Sequence, residues 1–485
     1  MARSLFNRYI CMCALLFSNA VYASSRDVIV EPISPGPYPV ASTNFSIDQS
    51  FFETLISTGG DPNAFQRGFV ANGSMRYVDE LLAFPNDAFT FQLAVPDDAF
   101  LYGSQAGTII PYAGYVFYPT SSGNTRTDYE FLSPPSLPRM QQNGELPIFA
   151  DDDSKYPLLI FSHGAGSSPT GDKIDEMILL ASHGYIVMAL YHGDDRFDLM
   201  SSEHFNLRPL SISAAIDSLL ADARFSQHID PNRMGGWGQS FGGATMLALL
   251  GAQRQDIGLF AGVYPTVIDS RLRAGAGIVP YAGTGFYSFF GVSGIGTKDV
   301  SKPFMAHASN SDEISDFFKV EEAINNLTGT KYLIRYNGLP HSLSPGAVTD
   351  YISWIKLFFD VYVKEAFEAI VLLATVNSIA GGETEELVLD VTHATASFLD
   401  GKLIVMGISV GDEKFDVAFE IDNSDSTRFV LVGTSTSVAI DSAGSYSNLI
   451  LTIPKLTVGQ DSYSIELKLL NENPVIFGLT AYHKL

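Results

Sequence analysis

The stretch Gly238–Gly242, which reads Gly-Gln-Ser-Phe-Gly, decides the fold of this chain. It stands between an apolar run at 233–237 and a helix-like run at 243–250. In a strand–turn–helix context this pattern puts the serine on a strained turn with its hydroxyl exposed, and the glycines let neighbouring backbones approach closely. The turn also directs the amide N–H of Phe241 and the helix N-terminus towards a reacting carbonyl group. The sequence therefore predicts that Ser240 is a nucleophile.

Runs that predict strands alternate with runs that predict helices on both sides of this motif. The strand runs are short and largely apolar, as expected for strands buried on both faces. Such alternation predicts the α/β class, with a mostly parallel sheet covered by helices on both faces. The predicted strands lie at 114–119, 157–161, 185–190, 257–264, 303–308 and 331–336, and the helices at 172–183, 208–223 and 348–367.

Composition divides the chain further. Residues 24–104 are rich in Pro, Asn, Asp and Ser and predict an N-terminal extension with a few strands, before the α/β domain at 105–380. Within that domain, the glycine-rich and aromatic residues 270–300 interrupt the alternation. This segment is either a lid or acyl-binding wall over Ser240 or a packed surface excursion.

Residues 385–485 carry an internal repeat. Val410 matches Val458 and Phe429 matches Phe477, each 48 residues apart (458 − 410 and 477 − 429). Short runs of alternating polarity in this region predict an all-β module built from two copies. It holds no obvious catalytic group. A purely structural role and the binding of a polymer, a glycan or a cell surface are both open, and a structural role is favoured.

A serine nucleophile needs a base and an acid that orients the base. In this fold class the partners follow the serine in the order acid, then histidine. His341 lies in a loop directly after a predicted strand, where a base must be to reach across the sheet edge, so it is the predicted base. His307 lies inside a strand and is predicted as core, and His393 lies at the edge of the β module.

The predicted acid is Asp312, which follows the strand run at 303–308 and precedes His341 by 29 residues (341 − 312). One helix and one strand fit between them, which places both at neighbouring strand ends. Asp269 is the competing acid. Glu313 is a weaker candidate, because a carboxylate at a helix start more often faces solvent.

The tetrahedral intermediate needs two N–H donors for its oxyanion. The amide of Phe241 is one predicted donor. The other is the amide of Ala165, in the loop Ser162–Ser168 that follows the first buried strand. His163 in this loop is predicted to be structural.

Composition indicates where the protein is located and limits the partners it can bind. Residues 1–23 predict a signal peptide with Arg3 and Arg8 before a short apolar run, so the chain is expected to be secreted or periplasmic. Both cysteines lie in that segment, which excludes a cysteine nucleophile or a thiolate metal site from the mature chain. The net charge of −24 becomes −26 without the two arginines, and such acidity disfavours nucleic acid as a partner. No later run is long and apolar enough to span a membrane. The carboxylates at 151–153 are predicted as a solvated turn, with a calcium site as the alternative.

The motifs at 156–168, 180–187, 238–242, 311–314 and 331–342 together resemble the α/β-hydrolase superfamily. They are most similar to its dienelactone-hydrolase-like branch, which includes cutinase-like polyester hydrolases and platelet-activating-factor acetylhydrolases. The resemblance covers residues 105–365 and implies hydrolysis of carboxylic esters through an acyl-serine, with no cofactor and no metal. It carries over the roles of Ser240, Asp312 and His341 and of the oxyanion donors Ala165 and Phe241. It also implies an aromatic residue that holds the acyl group after the sixth strand, near Tyr264.

The leading hypothesis is a serine esterase, lipase-like or cutinase-like, that acts on a small-molecule or polymeric ester. A peptidase or amidase is the second hypothesis, because acyl transfer to a serine uses the same groups. A non-catalytic binding or adhesion protein with a hydrolase-like shell is the third.

Overall fold

The computed structural model gives the chain an α/β part and a separate all-β module. It describes residues 28–44, 57–59, 77–83, 88–129, 136–142, 144–169, 173–192, 202–256, 262–285, 287–366, 369, 372–373, 376–383, 385–391, 396–399, 402–410, 413–422, 425–436, 444–458, 461–472 and 475–484. The predicted signal peptide at 1–23 lies outside this part of the chain.

The strands of the first part are β1 (Val28–Val30), β2 (Val40–Ser42), β3 (Phe89–Ala94), β4 (Ile109–Pro119), β5 (Tyr156–Ser162), β6 (Ile186–Leu190), β7 (Ile229–Gln239), β8 (Gln255–Asp256), β9 (Gly262–Val263), β10 (Leu272–Ile278), β11 (Gly283–Thr284), β12 (Tyr287–Ser288), β13 (Phe304–Ser309), β14 (Lys331–Tyr336), β15 (Val376–Ile379) and β16 (Glu385–Val391). The helices are α1 (Tyr77–Ala83), α2 (Ala99–Tyr102), α3 (Ile174–Ser182), α4 (Ser202–Ala221), α5 (Phe241–Leu249), α6 (Phe317–Asn325) and α7 (Pro345–Tyr362), with 3₁₀ turns at Gly103–Gln105 and Val292–Thr297.

A mixed sheet in the order β16-β14-β13-β10-β7-β5-β6-β4-β2 organises the α/β part, and β3 pairs with β4 as well. The strands from β14 to β6 in this order are parallel. The outer pairings are antiparallel. At one end β16 pairs with β14, and at the other end β4 pairs with β6, β2 and β3. The mostly parallel sheet predicted from the alternation is confirmed for the centre, whereas its two ends are antiparallel.

Hydrophobic cores cover both faces of the sheet. Along β5, Leu159 and Phe161 join one core and Leu158 and Ile160 the other, because successive side chains of a strand point to opposite faces. Helices α3 and α7 pack on the first face, and α4, α5 and α6 pack on the second. The continuous apolar runs of the central strands follow from this double burial.

The strand β10 corrects the sequence analysis. Its sequence, Leu-Arg-Ala-Gly-Ala-Gly-Ile, falls inside the segment 270–300 that was predicted to interrupt the alternation, yet it lies between β7 and β13 in the centre of the sheet. The small residues have a packing reason, since a Cβ on Gly275 would lie 2.7 Å from Leu250 Cδ1. Glycine and alanine give no apolar-strand signal. The strand predicted at 257–264 is represented among the described residues only by the short β9.

Two regions outside the predicted α/β range contribute strands to the same sheet. In the segment predicted as an N-terminal extension, β2 and β3 both pair with β4. In the range predicted as the repeat module, β16 pairs with β14, with Val391 opposite Lys331 and Glu385 opposite Tyr336. The backbone hydrogen bonds of the large sheet therefore extend beyond residues 105–380 on both sides.

The C-terminal module is all-β and repeats itself. Its first copy consists of β17 (Ala396–Leu399), β18 (Lys402–Val410), β19 (Glu413–Asp422) and β20 (Asp425–Thr436), and its second of β21 (Gly444–Ser447), β22 (Ile450–Val458), β23 (Asp461–Glu472) and β24 (Val475–Lys484). The first three strands of each copy start 48 residues apart (396 and 444, 402 and 450, 413 and 461). Irregularities of pairing recur with the same offset, at Val405/Ile408 and Ile453/Leu456. The predicted all-β module is confirmed.

The copies join through β20 and β24, where Phe429 lies opposite Phe477 and Arg428 opposite Gly478. Phe429 and Phe477 are equivalent positions of the repeat, so the pairing is centred on a local two-fold axis. Both rings are buried in the module's core. In the part of the chain that the structure describes, no helix is long and apolar enough to cross a membrane.

Candidate active site

Ser240 lies between β7 and α5, and its backbone is strained. Its φ of 52° and ψ of −118° belong to a region that residues with a side chain rarely adopt. Two backbone hydrogen bonds fix the turn: Ser240 N–H donates to Ile278 O (2.9 Å), and Tyr281 N–H donates to Ser240 O (3.0 Å). The residue is 8% exposed. Such a strained turn is typical of a serine that reacts.

The glycines around Ser240 permit close backbone contacts. A Cβ on Gly242 would lie 1.8 Å from the carbonyl oxygen of Ser162, and one on Gly238 would lie 2.2 Å from the carbonyl carbon of Gly242. Any side chain at either position would therefore push the start of α5 away from β5 or from β7. The predicted close approach of backbones is the reason for these two glycines.

Asp312 and His341 are hydrogen bonded to each other. Asp312 Oδ2 and Oδ1 lie 2.8 Å and 2.9 Å from His341 Nδ1. The carboxylate is only an acceptor, so Nδ1 carries the proton and Nε2 is the nitrogen that could accept another. Asp312 Oδ1 also accepts from the backbone N–H groups of Ile314 and Ser315, both at 2.8 Å. These bonds fix the orientation of the carboxylate and, through it, that of the imidazole.

The two loops that carry this pair are joined by further hydrogen bonds. Ser309 Oγ, at the end of β13, donates to Leu339 O (2.6 Å). Asn310 Oδ1 accepts from Gly338 N–H (2.8 Å), and Asn310 Nδ2 donates to Asn337 Oδ1 (2.8 Å). The loop after β13 and the loop after β14 therefore hold one another in place.

Ser240, Asp312 and His341 all follow the carboxyl ends of parallel strands. Gln239 is in register with Ile278, Ile278 with His307, and His307 with Ile334, so these strands end at one edge of the sheet. The turn after β10 bridges the two sides, because Val279 O accepts from Ser315 Oγ (3.2 Å) while Ile278 O accepts from Ser240 N–H. Among the described residues, no hydrogen bond joins Ser240 Oγ to His341. Catalytic hydrogen bonds are often loose in free enzymes.

The loop after β5 touches Ser240. A Cβ on Gly164 would lie 3.5 Å from Ser240 Cβ, which places Gly164 beside the serine. Ala165 follows it and is exposed. Phe241 is the first residue of α5, and the first four N–H groups of a helix have no partner within the helix. Both predicted oxyanion donors thus belong to segments that flank Ser240.

An aromatic wall, which we define as Phe205, Phe241, Tyr281 and Phe289, stands beside the serine. Ring centroids lie 4.3 Å apart for Phe205 and Phe241, 4.7 Å for Phe241 and Tyr281, and 4.4 Å for Phe205 and Phe289. Tyr281 comes directly after β10, and Phe289 lies in the same segment 270–300. This segment therefore contributes two of the four rings.

Tyr264 continues this wall on its far side from Phe241. Its ring packs on the Arg254 guanidinium (4.3 Å) and on Phe100 (6.2 Å), and Phe205 and Phe289 of the aromatic wall line the same cleft. The Arg254 guanidinium also lies over the rings of Phe205 and Phe289, at 5.1 Å from each. The role of Tyr264 in holding the acyl group, which the resemblance implied, stays a prediction. Tyr281, three residues after β10, donates its backbone N–H to Ser240 O and is a second aromatic candidate for that role.

The other candidate acids and bases of the sequence analysis make different contacts. Asp269 precedes β10, at the opposite sheet edge from Ser240, and pairs with Arg271 (2.5 Å). Its pKa is lowered, since the hydrogen bonds and charge of Arg271 outweigh the desolvation that raises it. Glu313 Oε2 accepts from the His341 backbone N–H (3.2 Å). His307 is fully buried, and burial lowers its pKa to about 3. His393 lies outside the described residues.

In the described part of the chain, no group of three or more His, Cys, Asp or Glu side chains is arranged to hold an ion. In the turn at 151–153, Asp151 instead accepts hydrogen bonds from Ser154 Oγ (2.6 Å) and from Asp153 N–H (3.0 Å).

Comparison with known proteins gives one partial relation. A family model described as platelet-activating factor acetylhydrolase, isoform II, matches residues 140–201. The matched stretch contains β5, the loop with Ala165, α3 and β6, and it ends before Ser240. A search of curated proteins finds no match. The match supports a hydrolase that acts on esters, while the dienelactone-hydrolase and polyester-hydrolase resemblance stays a prediction.

Proposed function

We propose that the chain is a serine hydrolase that cleaves carboxylic esters through an acyl-serine intermediate. Ser240 is the nucleophile, His341 the general base and Asp312 the acid that orients it. The observation that carries the proposal is the Asp312–His341 pair, with 2.8 Å between Oδ2 and Nδ1, at the sheet edge where Ser240 precedes α5 with a positive φ. A binding protein has no physical need for this combination.

The reaction then follows in two half-steps. Ser240 Oγ attacks the ester carbonyl carbon while His341 Nε2 takes the hydroxyl proton, and the carbonyl oxygen becomes an anion facing the N–H groups of Ala165 and Phe241. The intermediate collapses, the C–O bond to the alcohol breaks, and His341 returns the proton to the leaving alcohol. Water repeats the sequence on the acyl-serine and releases the acid.

The α/β-hydrolase fold is part of the same proposal. The chain passes from β5 to β6 on one side and then crosses back to β7 on the other side of β5. In open α/β sheets, ligands bind outside the carboxyl ends of the strands at such a reversal. The loop with Ala165 and the turn with Ser240 follow the two strands that flank it.

The aromatic wall supports an apolar group on the substrate. Edge-to-face rings around Phe241 offer apolar surface directly beside the reacting carbonyl. Lipid esters and polyesters both carry such groups, and the partial relation to the acetylhydrolase family favours lipid esters. We propose that the segment 281–290 forms this side of the site.

A fluorophosphonate probe tests the nucleophile. The wild-type chain should be labelled at Ser240 and should hydrolyse p-nitrophenyl esters, and Ser240→Ala should lose labelling and about 10⁴-fold or more of kcat. Ser342→Ala, at an exposed serine beside His341, is the matched control and should keep both. Unchanged turnover in Ser240→Ala would sink the proposal.

The leaving group separates the remaining hypotheses. An esterase should cleave the p-nitrophenyl ester and leave the matching anilide intact, whereas comparable turnover of the anilide would indicate an amidase or peptidase. A chain that neither takes the probe nor cleaves either substrate would support the binding-protein hypothesis.

A further inference from the structure

A cluster of buried polar side chains lies directly under the loop that follows β5. We define the Arg208 cluster as Ser162, His163, His192, Arg208 and Ser211, each at most 2% exposed. Burial of so many polar groups is costly unless they are hydrogen bonded. Their bonds converge on the backbone of His163 and Gly164, the two residues before Ala165.

Arg208, on α4, donates to both of these residues. Its Nη1 lies 2.6 Å from the carbonyl oxygen of His163, and its Nη2 lies 3.1 Å from that of Gly164. A guanidinium carries its donors in a rigid planar fork, so it can hold two neighbouring carbonyls at once. His163 Nδ1 adds a third donor, 2.7 Å from Gly164 O.

This contact fixes where the amide of Ala165 points. A trans peptide unit is planar, and its C=O and N–H groups point in opposite directions. Because the Gly164 carbonyl is held towards Arg208, the N–H of Ala165 in the same peptide unit points away from Arg208. In the same way the His163 carbonyl determines the direction of the Gly164 N–H. Gly164 itself lies beside Ser240, since a Cβ on it would be 3.5 Å from Ser240 Cβ.

The histidines of the cluster are fixed by a chain of donors. His192 N–H donates to His163 Nε2 (3.1 Å), so the proton of His163 is on Nδ1, where it donates to Gly164 O. Ser211 Oγ donates to Arg208 O (2.9 Å) and thus accepts from His192 Nδ1 (3.3 Å). His192 Nε2 then accepts from Ser162 Oγ (2.8 Å). These bonds give His163 and His192 the same tautomer, with the proton on Nδ1 in both rings.

We propose that Arg208 is the positioning residue of the oxyanion hole: it holds the His163 and Gly164 carbonyls away from Ser240 so that the Ala165 N–H faces the developing oxyanion. This inference rests on the proposed function. Arg208 touches no substrate atom in this arrangement. Its effect is exerted through the backbone, and it should appear only when negative charge forms on the carbonyl oxygen.

The test compares Arg208→Met, which keeps the length of the side chain without donors, with Arg208→Lys, which keeps the charge but not the fork. Arg271→Met is the control, because the Arg271 guanidinium is likewise held by hydrogen bonds, with Asp269, but lies half-buried at the opposite sheet edge. For each variant we would measure kcat and KM on a p-nitrophenyl ester, the Ki of a trifluoromethyl ketone, whose adduct with Ser240 carries the oxyanion, and the thermal midpoint.

We expect Arg208→Met to lose about 10²-fold in kcat with KM changed less than about 3-fold, and the Ki of the ketone to rise in proportion to the loss of kcat/KM. Arg208→Lys should fall between Arg208→Met and wild type, since an ammonium reaches one carbonyl. Arg271→Met should lower the thermal midpoint and keep kcat.

The inference is overturned if folded Arg208→Met keeps the wild-type kcat and the wild-type Ki of the ketone. If Arg208→Met does not fold, the same result for folded Arg208→Lys overturns it. A rise in KM alone would also overturn it. Failure of the proposed function gives a different result, because the wild-type chain itself would then neither take the fluorophosphonate nor turn over the ester.

Discussion

At the scale of single residues, the backbone of Ser240 is the most constrained feature of the site. A residue with a Cβ at positive φ costs about 1–3 kcal/mol, and surrounding contacts must offset that cost. Two hydrogen bonds supply such contacts, one from Ser240 N–H to Ile278 O and one from Tyr281 N–H to Ser240 O. The positive φ turns the hydroxyl outwards. The strain lies in the backbone and the Cβ, so it remains when the hydroxyl is removed.

The strain can be measured by removing the Cβ. Ser240→Gly and Ser240→Ala both lack the hydroxyl, but only glycine adopts the positive φ without a steric cost. We expect Ser240→Gly to be more stable than Ser240→Ala by about 1 kcal/mol, although glycine usually lowers stability through the entropy of the unfolded chain. Urea unfolding of the two variants gives the comparison. If Ser240→Ala is the more stable of the two, the turn is not strained at this residue.

At the scale of elements, the junction between α7 and β16 holds three acids close to the loop of His341. Asp350 is fully buried on α7, and its Oδ2 accepts from Glu383 N–H (2.8 Å). Glu385, at the start of β16, accepts from Trp354 Nε1 (2.7 Å) and from the backbone N–H of Ile379. Burial raises the pKa of Asp350 to about 6 and that of Glu385 to about 7. The carboxylate of Glu383 adds to the rise for Asp350.

These shifts make stability depend on pH. A raised pKa means that the folded state holds more protons than the unfolded state, here between about pH 4 and pH 7, so the free energy of unfolding falls as pH rises through this window. Asp350→Asn removes one of the two groups and keeps an acceptor for Glu383 N–H. We expect it to match wild type near pH 4 and to exceed it by about 1–3 kcal/mol at pH 8.

Urea unfolding of Asp350→Asn and wild type across pH 4–8 checks this. Asp128→Asn, which removes an exposed carboxylate that accepts from the backbone N–H of Arg139, controls for the loss of one negative charge. A constant difference between Asp350→Asn and wild type over the whole range would contradict the assignment.

At the scale of the whole molecule, the position of β16 separates two parts of the C-terminal region. Residues Glu385–Val391 complete the large sheet beside β14, whereas the strands from Ala396 onwards pair among themselves. The two copies of the repeat meet about a local two-fold axis at Phe429 and Phe477. Backbone pairing therefore assigns β16 to the sheet that carries the candidate site.

Two truncations test this division. A chain that ends after Val391 keeps β16 and should retain ester hydrolysis within about 3-fold and the thermal transition of the α/β part, since no group of the candidate site is removed. A chain that ends after Glu383 exposes the edge of β14 and removes the partner of Trp354 Nε1, so its thermal midpoint should fall clearly. Loss of activity in the first truncation would show that the repeat takes part in catalysis or substrate binding.

The sequence by itself determined the features that rest on local geometry and chain order. A serine between glycines after an apolar run predicts the turn at Ser240, because backbone sterics at such a turn admit few residues. Apolar runs predicted β5, β6, β13 and β14, because strands buried on both faces must be apolar throughout. The 48-residue offset predicted the two copies of the module, since each repeats the same pattern of strands.

Only the tertiary structure decided the features whose partners are distant in the chain. The glycine and alanine of β10 reflect the close approach of the chain after α5, which no local pattern records. Tyr281 reaches the serine only because β10 lies beside β7, and β16 joins the sheet through β14. Arg208 reads in the sequence as one position of an amphipathic helix. Its proposed role follows from its hydrogen bonds to two carbonyl groups more than forty residues earlier in the chain. Burial of a charge is favourable only where the fold supplies such acceptors.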